Sequence, residues 1–318
     1  MVIIIGAGPI GLATGIALKQ RGIPLRIIER GCLVNSIFNY PKDMTFFSTS
    51  DRLEIGGVPF ISHGPKPTRR EALEYYRRAA EHHELPVNLY EEVQSIEGTD
   101  GAFTVQTDKD RYKADKVVAA TGFYDVPRMM GVPGEELPKV KHYYDEAHAY
   151  AWQKVLVIGG GNSAVDAALE TWHANAQVSM AVRSDALKES VKYWVKPAIE
   201  NRIAEGEITG YFNTEVREIR PGEVVLETPD GEKVIPNDFV LAMTGYKPNY
   251  ELMHRLGIEL TEDQKRMPRF DDASLETTRH GVYVAGVVCG GMDTSSLFIE
   301  NSRVHAEHIA EDIASKIS

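Results

Sequence analysis

The stretch VIIIGAGPIG at residues 2–11 decides the fold of this chain. Val2 to Ile5 is an unbroken apolar run, the pattern of a parallel strand buried on both faces. It passes directly into Gly6-Ala7-Gly8-Pro9-Ile10-Gly11 and then into a helix-like stretch that ends near Gln20. A second apolar run, Leu25 to Ile28, ends in Glu29. Together these make a βαβ unit of the usual ~30 residues. A Gly-x-Gly-x-x-Gly carries weight only in this context, straight after a strand and opening a helix, with an acid about 20 residues further on. Gly6 permits the tight turn, Gly8 leaves the backbone open to a pyrophosphate, and Gly11 lets helix and strand approach. The helix start offers unpaired N–H groups to phosphate, and Glu29 is placed to accept from a ribose.

The same plan begins again at Lys154. Val155 to Ile158 is a strand pattern, Gly159-Gly160-Gly161-Asn162-Ser163-Ala164 is the loop, and a helix should run to about Trp172. Ala164 at the third small position is tolerated by the motif. The next strand, 178–182, ends in Arg183 rather than a carboxylate. A guanidinium there suits the 2′-phosphate of NADP, and Lys188 is a candidate helper. Two dinucleotide sites in one chain suggest electron transfer between two carriers. FAD with NADPH is the commonest such pair, the flavin supplying the hydride chemistry.

Elsewhere the pattern predicts an amphipathic helix over 68–84, with Thr68 and Glu71 spaced as a capping box. Alternation over 87–107 around a turn at 99–101 predicts a hairpin. Residues 187–205 read as a helix broken or kinked at Pro197, and a final helix is expected over 296–317. Turn-rich crossings at 122–127 and 245–249 suggest that a second domain is inserted into the first. The expected division is 1–123 with 248–318 for the flavin domain and 124–247 for the NADPH domain. The fold class is α/β, two three-layer Rossmann-like domains.

Bulk properties narrow the partners. With 318 residues, 43% hydrophobic and 25% charged, the chain has the composition of a globular protein large enough for two domains. A net charge of −11 argues against nucleic acid and anionic membranes. Two cysteines cannot build a disulfide framework and point to the cytosol. The apolar start lacks a basic flank and is read as strand, loop and helix, not a leader. His142, Asp145, Glu146 and His148 match no metal-ligand spacing and read as a solvated linker face, so no metal site is expected.

Further marks carry a resemblance. They are Ala120-Thr121-Gly122 at one crossing, Met243-Thr244-Gly245 at the other, and Val284-Ala285-Gly286 near the end. With the paired loops they make the chain resemble, over essentially its whole length, the low-molecular-weight thioredoxin-reductase-like flavoproteins. Residues 39–48, 192–197 and 298–301 are similar to one branch, the YpdA-type bacillithiol disulfide reductases. The resemblance implies FAD held by Gly6, Gly8, Pro9, Gly11, Glu29, Arg30, Val93, Ala120, Thr121, Gly122, Gly286, Phe298 and Ile299. It implies NADPH held by Gly159, Gly161, Asn162, Ser163, Ala164, Arg183, Lys188, Thr244 and Gly245. It also implies a homodimer and a domain rotation that brings the two carriers together.

Departures from that pattern shape the chemistry. Thioredoxin reductases carry Cys-x-x-Cys just before the second loop, and residues 142–153 contain no cysteine, so a dithiol relay is excluded. The closer branch often has a cysteine inside the first loop, where this chain has Ile10. The acid usual after Gly286 is replaced by Val287. Cys289 is then the candidate catalytic thiol, weighed against an inert buried residue. Cys32 reads as structural. Tyr193 and Trp194 are candidates for a substrate or nicotinamide pocket or for core packing, and His305 for a proton donor or a satisfied core histidine.

The leading expectation is an NADPH-dependent flavoenzyme that reduces a small-molecule disulfide or another small electron acceptor. A ferredoxin- or flavodoxin-NADP reductase is an alternative, disfavoured by the acidic charge. A flavin monooxygenase is another, although 137–142 lacks its fingerprint. A non-enzymatic redox sensor is the third.

Overall fold

The computed structural model describes residues 1–293 and 296–317. It divides into two compact units. One comprises Met1–Asn39, Asp43–Val126 and Tyr246–Ser318; the other comprises Tyr40–Lys42 and Pro127–Gly245.

The first unit is built on a five-stranded sheet in the order Val282–Val284, Lys116–Ala119, Val2–Ile5, Leu25–Ile28, Val87–Asn88. Every pairing is parallel, and Ile4 lies between Ile27 and Val118 in register. The second unit repeats the plan with Thr209–Phe212, Gln177–Val182, Lys154–Ile158, Phe239–Ala242 and Val140–Lys141, again all parallel. In both sheets the strand that feeds a glycine loop is central, buried throughout in Val2–Ile5 and from Val155 onward in Lys154–Ile158. Its apolar residues lie in the core, each worth about 1.5–3 kcal/mol by burial. Each unit also carries a three-stranded antiparallel sheet. This is the expected pair of Rossmann-like units.

The helix Arg69–His82 starts as expected. Thr68 Oγ1 accepts from Glu71 N–H, and Glu71 reaches back to Thr68 N–H, closing the capping box. Three expectations are corrected. The alternation over 87–107 splits, Val87–Asn88 completing the parallel sheet while Val93–Glu97 and Phe103–Thr107 form the hairpin. The helix expected over 187–205 covers only Lys196–Ala204, because Pro197 lies in its first turn and starts it instead of kinking it. The final helix is interrupted, as Ile299–Ser302 and His305–Ile317. Between the pieces Arg303 donates to the carbonyls of Asp51 and Glu54 at 3.1 and 2.9 Å, which pins the break.

Of the expected solvated linker face, Asp145 and His148 are exposed and His142 alone turns inward. His142 has 14% of its side chain exposed and lies 3.6 Å from the buried Glu135 carboxylate, while Lys42 pairs with Asp145 and Glu146. Among the described residues no helix is long and apolar enough to cross a membrane.

Candidate dinucleotide and flavin site

The first glycine loop is closed where the fold needs contact and open where a ligand would lie. Gly6 has φ +105°, and a Cβ there would come 2.6 Å from the Ala120 carbonyl oxygen. A Cβ on Gly11 would overlap the Gly6 carbonyl oxygen. A Cβ on Gly8 would meet nothing within 4 Å. Gly8 is the N-cap of Pro9–Gln20 and makes no side-chain cap, which leaves the first-turn N–H groups without a cap partner. These are the properties of a phosphate cradle.

Glu29 stands at the end of the neighbouring strand, 8% exposed. Its carboxylate accepts the N–H groups of Ala7 and Gly31, each at 2.8 Å. Burial raises its pKa, partly offset by those two hydrogen bonds. Arg30 is committed to Asp125 on the first crossing, Nη2 to Oδ1 at 3.1 Å. Asp125 is itself raised by burial, with the Arg30 charge opposing. Sequence reading missed Asp125; only the opposite charge within the 122–127 turn hinted at it.

Ala120 N–H donates to Ile5 O, and Thr121 and Gly122 follow at the loop's rim, Gly122 with φ +69°. Gly286 has φ +84°, and a Cβ there would press on Ile10 at 3.1–3.3 Å, so the two loops meet at Ile10. Val93 is a core residue at 3% exposure. Phe298 is half exposed at the start of Ile299–Ser302.

Two further groups lie beside Gly286. Cys289 is 2% exposed, and burial pushes its thiol up to about 12, so at neutral pH it is a protonated thiol and a poor nucleophile. Cys32 is half-buried and also raised, by burial first and by the Glu29 charge second. His305 is pushed down to about 4 by burial, so it is neutral and no acid reservoir. Its Nδ1 accepts the Gly286 N–H, which leaves its proton on Nε2.

The second loop repeats the first. Gly159 has φ +128°, and a Cβ would come 2.5 Å from Met243 O; Gly161 caps Asn162–His173 without a side-chain bond. Ala164 is buried, and its Cβ would lie 3.4 Å from a Cβ added to Gly159. Ser163 is exposed on the first turn. The Asn162 side chain is fully committed, donating to Ser190 O and accepting from Lys192 N–H at 2.9 Å each. Arg183 is exposed and has no hydrogen bond or ion pair among the described residues. Lys188 N–H donates to Gly160 O at 2.9 Å, and its Cδ lies 3.7 Å from where a Gly161 Cβ would be. Thr244 Oγ1 donates to Arg128 O at 2.6 Å, and Gly245 turns with φ +92°. Tyr193 is exposed, so the packing alternative for it falls.

Both cradles fit a dinucleotide pyrophosphate: an uncapped helix start, a glycine whose Cβ would meet nothing (Gly8) or only the end of the Lys188 side chain (Gly161), and a charged group at the end of the next strand. The family model described as pyridine nucleotide-disulphide oxidoreductase matches residues 3–286. Bacilliredoxin reductase Bdr of Bacillus subtilis is 44% identical over 316 residues, 99% of this chain and 97% of the relative. The solved structure of bacillithiol disulfide reductase Bdr (YpdA) from Staphylococcus aureus superposes with TM-score 0.96 at 42% identity, covering 100% of this chain and 98% of that one. That from Bacillus cereus gives 0.97 at 41%, covering 99% of both. An oxidoreductase of this kind uses a flavin and a nicotinamide cofactor. The chain belongs to the pyridine nucleotide-disulphide oxidoreductase family, within its Bdr (YpdA) branch.

Proposed function

We propose that this enzyme carries FAD at the first glycine loop and takes electrons from NADPH at the second. We further propose that it reduces a low-molecular-weight disulfide of the bacillithiol type without a Cys-x-x-Cys relay. The observation that carries the reading is the pair of uncapped glycine loops: a Cβ on Gly8 would meet nothing within 4 Å, and one on Gly161 only the flexible Lys188 side chain at 3.7 Å. Arg183, exposed at the end of its strand, favours the 2′-phosphate of NADPH. The names of the Staphylococcus and Bacillus cereus relatives support the substrate.

When bound, the flavin supplies a two-electron relay from nicotinamide to disulfide. The balance is one NADPH, one proton and one disulfide giving NADP and two thiols. The chain's own residues bind and orient: the first-turn N–H groups hold phosphate, Glu29 orients a ribose, and Gly286 keeps the backbone close to the ring site. His305, neutral, holds the Gly286 turn and leaves proton delivery to solvent. Only two cysteines are present, and both are held as thiols, so neither is given a relay role. The Bacillus subtilis relative is named for a protein disulfide, bacilliredoxin, which makes such a disulfide the second reading. We place the enzyme in the cytosol as a homodimer.

The test is anaerobic reduction by NADPH followed by stopped-flow mixing with bacillithiol disulfide, an oxidised bacilliredoxin, ferredoxin and oxygen. Fast reoxidation by the small disulfide is expected. Reoxidation by ferredoxin or oxygen alone overturns the proposal, and light scattering decides the dimer.

A further inference from the structure

Residues 184–195 leave Arg183 after the strand Gln177–Val182 and return across the second glycine loop. Three bonds at 2.9 Å tie them there: Lys188 N–H to Gly160 O, and the Asn162 side chain to Ser190 O and to Lys192 N–H. Lys192 Nζ adds an ion pair with Asp166 at 2.8 Å, one turn along the helix. The tied segment ends in Tyr193 and Trp194, whose rings meet edge to face at 4.9 Å. Tyr193 is 81% exposed and Trp194 42% exposed. An exposed tyrosine ring beside a partly covered tryptophan, on a firmly anchored backbone, forms a ready stacking surface.

We propose that this segment is a clamp on the adenosine half of the pyridine nucleotide. Asn162 is its positioning residue, and the Tyr193–Trp194 pair is the platform for the adenine. The clamp rests on the assignment of the second glycine loop to that nucleotide. Its course decides which half it covers, since it starts at Arg183, the residue placed for the 2′-phosphate, and lands on the helix turn that faces the pyrophosphate. Tyr193 is one residue, about 3.8 Å of chain, from the Lys192 amide that touches Asn162. Its ring is therefore within reach of a base whose phosphates lie at that helix start. Because the rings are tied to the phosphate loop itself, the nucleotide is favoured over a protein acceptor as their partner.

The test titrates adenosine 2′,5′-bisphosphate into the flavin-loaded enzyme by calorimetry, with flavin absorbance as the check on folding. The double variant Tyr193→Ala, Trp194→Ala is expected to weaken this probe by about 5- to 100-fold. Asn162→Ala is expected to weaken it and to speed amide exchange at Lys192. Asn162→Asp keeps the acceptor and should keep the Lys192 amide protected. Unchanged probe affinity in the double variant overturns the clamp. Normal affinity with slowed turnover of a protein disulfide marks the rings as an acceptor surface and overturns it too. Gly161→Val separates the two claims. If it abolishes probe binding while the double variant does not, the loop assignment stands and the clamp falls. If the probe still binds to Gly161→Val, the loop assignment fails and takes the clamp with it.

Discussion

His305 receives the backbone N–H of Gly286 on Nδ1 at 3.1 Å, and the Cys289 sulfur lies 3.9 Å from the same nitrogen. The hydrogen bond requires a neutral ring, and burial keeps it so by lowering the pKa from 6.5 to about 4. Between those values the unfolded chain binds a proton that the folded protein refuses. Stability is therefore full above pH 6.5 and falls as pH drops toward 4, by at most about 3 kcal/mol. Asn at 305 offers an acceptor that does not titrate. Urea midpoints measured from pH 8 to 4 should show a shallower acid loss for His305→Asn than for wild type, with little difference at pH 8.

Gly8 and Gly11 should respond oppositely to one added methyl. A Cβ at Gly11 overlaps Gly6 O, so Gly11→Ala should cost several kcal/mol or prevent folding, as overpacking against backbone does. Gly8 has φ −72° and open space, so Gly8→Ala should leave the flavin-free protein within about 1 kcal/mol of wild type. Its flavin occupancy after purification should nonetheless fall. Thermal melts of the flavin-free protein and flavin absorbance of the purified enzyme read the two effects apart.

Arg183→Gln should raise the KM for NADPH by about 10- to 100-fold, the worth of a charge-assisted hydrogen bond to phosphate. The KM for NADH should stay within about twofold. Equal losses with both nucleotides would remove Arg183 from the 2′-phosphate.

Thr68→Ala opens the capping box of Arg69–His82 and should lower stability by about 1 kcal/mol. Thr68→Ser should recover most of it. Turnover should not change, because the effect is confined to a helix start.

Cys289→Ser should leave disulfide turnover within about twofold and change the pH profile little. Its thiol is buried and protonated across the working range. A loss of a hundredfold or more, with flavin content intact, would restore the thiol to the mechanism.

The glycine loops were legible in the sequence because their physics is local. A buried strand, positive-φ glycines and a helix start all fall within ten residues. The capping box of Thr68 and Glu71 was legible for the same reason. Residues 187–195 were misread as helix because their composition allows one. What holds them in turns instead is long-range: Asn162 claims the backbone of Ser190 and Lys192, and Gly160 claims that of Lys188. The interruption of the last helix is similar, since the carbonyls that hold Arg303 come from the Ser50–Leu53 turn and its flank. Arg30 showed its charge in the sequence but not its partner, Asp125.

The raised pKa values of Cys32 and Cys289 have a consequence for endurance. Enzymes that work through a reactive dithiol lose activity to the same peroxides and electrophiles that create their substrates. Here the two sulfurs are kept in the form least open to oxidation and alkylation. A reductase built this way would go on clearing oxidised thiols during the chemical assault that produces them.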